Sequence, residues 1–331
     1  MSQPRLLVLG GSAFLGRTLV VTALTAGWAV TTFNRGRSAP DVPGVTAVRG
    51  DRASQPDLDR LAGHGPWDAV VDCSGRVAAE VGAAARTLGG QAGRYLFVSS
   101  VSALAGWPDL PTGPDTPLLP GAPDATEGEY GPLKAGSERA VHAAFGDRAL
   151  TVRPGLIYGP YENIGRFWWL TRAARGGRML APGDPDQPMQ LIDVRDLADW
   201  LLHAIDQGLS GAYNATGPIG MTTMREFLTE CVAATGSDAE LVWVDPGFLL
   251  ARSVTEWTEL PLWTTSPATW QVDVAPTRRA GLVSRPIGET VRDTWAWLRA
   301  EPAPPTNPRV PPHGLDPGKE QRLLGEWLAS R

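Results

Sequence analysis

Arg5-Leu6-Leu7-Val8-Leu9-Gly10-Gly11-Ser12-Ala13-Phe14-Leu15-Gly16-Arg17 reads as a strand, a tight turn and the start of a helix. Leu6 to Leu9 form a continuous apolar run, the pattern of a strand buried on both faces of a parallel sheet. Gly10, Gly11 and Gly16 fall where a dinucleotide-binding turn needs them. They allow a tight turn out of the strand, close approach of backbone to a pyrophosphate, and close packing of helix on sheet. Ser12, Ala13, Phe14 and Leu15 complete the turn and are candidates for cofactor contact with it. Phe14, Leu15, Leu19, Val20 and Leu24 then give an apolar helical face that ends at Gly27. A helix N-terminus at this point offers free N–H groups and a positive dipole end to phosphates.

Working outward, 331 residues are enough to bury a sizeable core. With 43% hydrophobic and 20% charged residues, the composition is that of a soluble globular protein. The net charge of −5 gives no electrostatic reason to expect nucleic acid or an anionic membrane surface as a partner. No apolar run approaches the roughly 20 residues of a membrane span. A core strand begins within five residues of Met1, so no signal peptide is expected and a cytoplasmic location is. Cys73 and Cys231 lie far apart and suggest neither a disulfide framework nor a metal site. Of the 30 basic residues only Lys134 and Lys319 are lysine, so each lysine merits inspection.

A second strand, Ala29 to Phe33, is followed by Asn34-Arg35-Gly36-Arg37. Dinucleotide folds that take NAD usually carry an acid at the end of this strand for the ribose 2′-OH, whereas arginine there suits a 2′-phosphate. Here the acid is absent, and Arg35 and Arg37 offer the planar, permanently charged fork that phosphate favours. Asn34, Arg35 and Arg37 are therefore candidate cofactor residues, with NADP(H) preferred and NAD(H) the alternative. A third strand, Val45 to Val48, leads to Asp51 and Arg52, both candidate cofactor residues, of which Asp51 could accept from the adenine amino group. Strand four, Ala69 to Asp72, ends in Cys73-Ser74-Gly75, which joins the candidate cofactor set. Val77 to Leu88 reads as a helix, and strand five, Tyr95 to Val98, runs into Ser99-Ser100. This alternation argues a doubly wound parallel α/β sheet.

Trp107 to Glu129 carries six prolines and little apolar content, and is expected to form a lid or pocket wall. Glu129-Tyr130-Gly131-Pro132-Leu133-Lys134 follows. Tyr130 and Lys134 stand at i and i+4, so on a helix they share a face. Pro132 requires that the helix begin just before it, since proline suits only the first turn.

The glycine turn, Ser99-Ser100 after a fifth strand, Tyr130-x-x-x-Lys134, Arg153-Pro154-Gly155-Leu156-Ile157-Tyr158-Gly159-Pro160 and Asp193-Val194-Arg195-Asp196-Leu197-Ala198 occur in one order. Together they resemble the extended short-chain dehydrogenase/reductase superfamily, of the NAD-dependent epimerase/dehydratase type, over about residues 5 to 215. The resemblance implies a Rossmann-type doubly wound parallel sheet with a smaller mixed C-terminal substrate-binding region. Residues 1–160 would form the dinucleotide-binding domain, with 189–215 returning to it, and 161–188 and 216–331 the substrate-binding region. It also implies that Tyr130 is the acid/base, that Lys134 sits between it and the nicotinamide ribose, and that Ser100 hydrogen-bonds the reacting oxygen. Pro154 and Gly155 would contact the cofactor, and a homodimer would be ordinary. The chemistry is coherent, because a nearby ammonium favours phenolate and tunes a tyrosine to exchange a proton as hydride moves.

Two departures stand out. Ala13 occupies the place of a third glycine. Nucleotide-sugar members usually have asparagine where Leu156 stands and arginine near Met189, and without such partners a diphosphate would be poorly bound.

Ten of the 13 tryptophans fall after residue 150. Aromatic walls suit flat apolar ligands, so Trp168 and Trp169, with Trp257 or Trp263, are expected to line a pocket, and Trp107, Leu156 and Tyr158 join Trp168 and Trp169 as candidate substrate contacts. Arg166, Arg172, Arg175 and Arg178 read as a solvated helix face. Glu301 to Pro312 reads as an extended linker, and Asp316-Pro317 as the start of a last helix.

The leading expectation is an NADP(H)-dependent oxidoreductase that reduces a ketone or aldehyde of a small, fairly apolar molecule. A nucleotide-sugar epimerase or dehydratase holding NAD tightly is the second expectation. A non-catalytic binding or regulatory protein on the same fold is the third.

Overall fold

The computed structural model describes residues 3–301, 303, 304, 307 and 310–331. Part of the proline-rich stretch read as a linker therefore lies outside the described residues. The described chain divides into two compact units.

The first unit runs through Ile157 and takes in Ile192–Pro218 and Gln271–Ser284. Its elements in chain order are β1 (Arg5–Leu9), α1 (Phe14–Thr25), β2 (Ala29–Asn34), β3 (Thr46–Arg49), α2 (Gln55–Ala62) and β4 (Trp67–Asp72). There follow α3 (Ala78–Leu88), β5 (Ala92–Val98), α4 (Tyr130–Phe145), β6 (Ala149–Pro154), α5 (Val194–Asp206) and β7 (Gly211–Ala215). The seven strands are parallel and lie in the order β7-β6-β5-β4-β1-β2-β3, a Rossmann-type sheet.

The unbroken apolar run of β1 is explained by a separate core on each face. Leu6 and Val8 pack with Phe14, Leu15, Leu19 and Val20 of α1 and Leu197, Leu201 and Ile205 of α5. Leu7 and Leu9 pack on the other side with Leu58 and Leu61 of α2, Val81 and Leu88 of α3, and Val141 and Phe145 of α4. Each fully buried aliphatic side chain contributes about 1.5–3 kcal/mol, so both faces of β1 hold the sheet.

Gln271–Ser284 was expected in the substrate region. It packs on the first unit instead, because Thr277 Oγ1 donates to the Asn214 carbonyl at 2.5 Å and Trp200 Nε1 donates to the Ala280 carbonyl at 3.0 Å. The proline-rich loop before α4 is pinned to the same unit. Thr112 exchanges backbone hydrogen bonds with Gln271 and Asp273, the Ala79 N–H donates to the Ala125 carbonyl, and Arg139 of α4 donates to the carbonyls of Leu119 and Gly121. Anchors on both sides of its middle make it a wall of the unit.

The second unit comprises Tyr158–Leu191, Ile219–Trp270 and the C-terminal stretch from Arg285. Arg178–Pro182 pairs in parallel with Glu240–Val244, and Pro188–Met189 pairs antiparallel with Thr222–Thr223. Helices span Trp168–Ala173, Met224–Thr235, Pro246–Ala251, Ile287–Ala300 and Pro317–Ala329. Thr223 and Glu226 form a reciprocal capping box, and Asp316 caps the last helix by accepting from Lys319 N–H at 2.8 Å. Arg172 corrects the expectation of a solvated arginine face: it is buried, with Nε within 2.8 Å of both Glu320 carboxylate oxygens.

Candidate active site

In an open α/β sheet, ligands bind outside the carboxyl ends of the strands, where the strand order reverses. Here the reversal lies between β1 and β4, whose ends are Gly10 and Cys73-Ser74-Gly75. Gly10 and Gly11 turn the chain at φ of +108° and +97°, a region that glycine enters without strain. A Cβ on Gly16 would stand 2.8 Å from the Gly11 nitrogen, so the helix presses onto the turn as a dinucleotide cradle requires. The α1 N-terminus at Ala13 has no side-chain cap, which leaves its first-turn N–H groups for an anion. Phe14 and Leu15 turn their side chains into the core, so both face a cofactor only through backbone. Ser12 is buried within the turn. These features fit a pyrophosphate.

Asn34 ends β2 beside an exposed Arg35 and Arg37. Arg35 approaches Asp51 at 3.8 Å, with nearly half of each side chain exposed. Arg52 behaves otherwise. Its guanidinium makes a paired contact with Asp72, at 2.9 and 2.7 Å, and a third bond to Ser74 Oγ at 3.2 Å. Asp72 is completely buried and also accepts from Tyr95 Oη at 3.0 Å and the Ser74 N–H at 3.1 Å. Burial pushes the Asp72 carboxyl up, but Arg52 outweighs it and the net displacement is below the ordinary carboxylate range. Arg52 therefore braces the β4 turn and is corrected from a cofactor ligand to a support for Ser74. Cys73 is partly exposed, with its thiol pushed up by burial and by Asp72.

The α4 helix begins at Tyr130, so Pro132 falls in its first turn. A Cβ on Gly131 would sit 2.3 Å from the Ser102 carbonyl oxygen; glycine there lets the start of α4 lie directly on the short helical turn Val101–Ala103. Ser100 caps that turn. Its Oγ accepts from the Ser102 N–H at 3.1 Å and donates to Ser102 Oγ at 3.2 Å. Lys134 is buried, and its Nζ donates to the carbonyls of Gly75 at 2.6 Å and Val98 at 2.8 Å. The ammonium stands 4.7 Å from the Phe97 ring centroid and 5.8 Å from that of Tyr130, a residue that is 43% exposed. Below it, Glu138 receives Arg153 through two nitrogens and Ser99 Oγ at 2.5 Å. This buried pair ties α4 to β5 and β6. Pro154 ends β6, and the Gly155 N–H donates to the Ala215 carbonyl at 3.1 Å.

Among the expected substrate contacts, Trp107 is half-buried against Val101, Val272 and Val274, and Leu156 is 8% exposed. Tyr158 and Trp169 are corrected to core residues, since neither has any exposed surface. Tyr158 stacks edge-on against Phe227 and Trp169 Nε1 donates to the Pro261 carbonyl at 2.5 Å. Trp168 is 8% exposed and covered by Gly314. Two polar residues that meet beside the end of β2, Asp41 of the β2–β3 loop and Arg49 at the end of β3, were not foreseen. The one available signal was that Arg49 directly follows the apolar residues read as the third strand; its register opposite Asn34 belongs to the fold, and nothing in the sequence marks Asp41. Among the described residues no group of His, Cys, Asp and Glu side chains could hold a metal, and no helix is long and apolar enough to cross a membrane.

The sheet order and the glycine turn define a Rossmann-type fold of the dinucleotide-binding kind. The chain belongs to the NAD dependent epimerase/dehydratase family, which residues 6–216 match. It is 33% identical over 211 residues to 2′-dehydrokanamycin reductase of Streptomyces kanamyceticus, a match covering 62% of this chain and 56% of that one. It is 26% identical over 263 residues to the chloroplast stem-loop binding protein of 41 kDa b of Arabidopsis thaliana, covering 74% of this chain and 67% of that one. The fold is shared with the Bordetella bronchiseptica enzyme WbmH in complex with NAD+, at a TM-score of 0.70 and 17% identity over 90% of this chain and 99% of that one.

Proposed function

We propose that this chain is an NADP(H)-dependent reductase acting on the ketone or aldehyde of a small molecule. The observation that carries this is the seating of Lys134. An ammonium has three N–H donors, and two are spent on the Gly75 and Val98 carbonyls. The third remains for a nicotinamide ribose hydroxyl. Bound nicotinamide supplies the hydride. Tyr130 Oη gives the proton to the carbonyl oxygen, and the Ser100 hydroxyl, turned from Ser102, donates a second hydrogen bond to that oxygen. The backbone of Gly10 to Gly16 and the open end of α1 would hold the pyrophosphate, with Ser74 and Gly75 beside it.

Asn34 in place of an acid within β2, followed by Arg35 and Arg37, supports the 2′-phosphate, and the relative named 2′-dehydrokanamycin reductase supports reduction of a carbonyl. Because Tyr158 and Trp169 belong to the core, the case for a flat apolar substrate loses its main support. Leu156 in place of an asparagine disfavours the nucleotide-sugar alternative.

The test is Tyr130→Phe, assayed with NADPH and a panel of small ketones and aldehydes. Turnover is expected to fall by about 10²–10⁴-fold, with NADPH affinity unchanged within twofold. Activity like that of the unmodified protein would contradict the assignment.

A further inference from the structure

The end of β2 lacks an acid in the sequence, but the fold returns one there. Asn34 and Arg49 are register partners at the carboxyl ends of β2 and β3. The Asn34 amide bridges two segments: its Oδ1 accepts from the Gly36 N–H at 2.8 Å and from Arg49 Nη1 at 2.8 Å, while its Nδ2 donates to Asp41 Oδ1 at 3.2 Å. Arg49 closes the ring by donating to Asp41 from Nη1 at 3.1 Å and from Nη2. A Cβ on Gly36 would lie 2.9 Å from Arg49 Nε, so the loop carrying Arg35 and Arg37 rests on this guanidinium. The Asp41 side chain is 18% exposed and that of Arg49 48%.

We infer that the Asp41–Arg49 pair sets the choice between a 2′-phosphate and a 2′-hydroxyl. Arg49 is a further phosphate-facing cation beside Arg35, and Asp41 is the counter-ion that competes with the phosphate for it. The inference rests on the NADP(H) reading. A dianionic phosphate at the end of β2 attracts a guanidinium fork and is repelled by a nearby carboxylate. While Asp41 is ionised it takes both Nη atoms of Arg49, which weakens the phosphate site. Without Arg49, Asp41 keeps only the Asn34 amide bond to Oδ1 and has its other carboxylate oxygen free to accept, the chemistry that a ribose 2′-OH requires. The two substitutions therefore act in opposite directions on one ratio. A merely structural pair would not behave so, because loss of loop order would weaken both nucleotides in both variants.

The test is a titration of the full chain and of Arg49→Gln and Asp41→Asn with NADPH and with NADH, read as quenching of tryptophan fluorescence and repeated at two salt concentrations. Arg49→Gln is expected to weaken NADPH about tenfold and leave NADH unchanged or tighter. Asp41→Asn is expected to tighten NADPH several-fold, with NADH unchanged or weaker. Parallel losses of both nucleotides in the two variants, with the parent still preferring NADPH, would overturn this inference and leave the NADP(H) reading standing. A parent protein that prefers NADH would overturn the NADP(H) reading and this inference with it.

Discussion

Lys134 is costly to hold where it stands, because burying an ammonium is tolerated only when its donors are satisfied. The Gly75 and Val98 carbonyls do this, one from the loop after β4 and one from the end of β5. Lys134→Met should leave both carbonyls without their partner, at about 1–3 kcal/mol for each unsatisfied group. A urea melt should show that loss together with weaker NADPH binding; unchanged stability would mean that the carbonyls find other donors. Arg35→Ala should weaken NADPH and spare NADH, and equal losses would remove Arg35 from the phosphate site. At this scale the sequence was legible where spacing alone decides. The i,i+4 separation of Tyr130 and Lys134 needs only a helix to become a shared face. Arg52, Tyr158 and Trp169 were not legible, because residue type says what a side chain can do and not which way it turns. A buried Asp72 captured Arg52, and the second unit's core took both aromatics.

Among elements, α4 is the one the site depends on. Gly131 and Gly136 bring its backbone against Ser102 and Ala122, and the Glu138–Arg153 pair fixes it to β6, with 2% and 8% of the side chains exposed. Breaking a buried pair from one side leaves an uncompensated charge and costs about 3–5 kcal/mol. Glu138→Ala should therefore lower the unfolding midpoint markedly, and a change below 1 kcal/mol in chemical denaturation would show the pair to be solvated. The first five strands of the nucleotide-binding unit were legible to within a few residues at their ends, since strands buried on two faces read as apolar runs, whereas β6 and β7 were not read as strands. The return of Gln271–Ser284 to this unit was not, because it is held by hydrogen bonds of Thr277 and Trp200 to distant carbonyls. Asp41 escaped for a similar reason: a loop carboxylate acquires meaning only when the fold brings it to a strand end.

Across the whole molecule, Asp72 links the sheet to pH. Its carboxyl titrates below its unfolded value of about 3.9. The resulting stability is fully present above that value and is lost as pH falls through the folded pKa. The melting temperature should fall below about pH 4. Asp72→Asn should be the less stable protein at pH 7, and its deficit should shrink as the pH drops into that window. A deficit independent of pH would assign the effect to hydrogen bonding and packing instead of charge. The family and the α/β class were readable from the order of motifs, while the cofactor choice we infer rests on side chains that only the fold brings together at the ends of β2 and β3.

The most direct measurement is to denature the purified protein, identify any nucleotide released, and titrate the nucleotide-free chain with NADPH and NADH by its tryptophan fluorescence. The expected result is little or no retained NAD and a clear preference for NADPH, as a reductase exchanging its cofactor at each turnover requires. Stoichiometric NAD carried through purification would contradict that and favour an epimerase or dehydratase that oxidises and re-reduces its substrate in place.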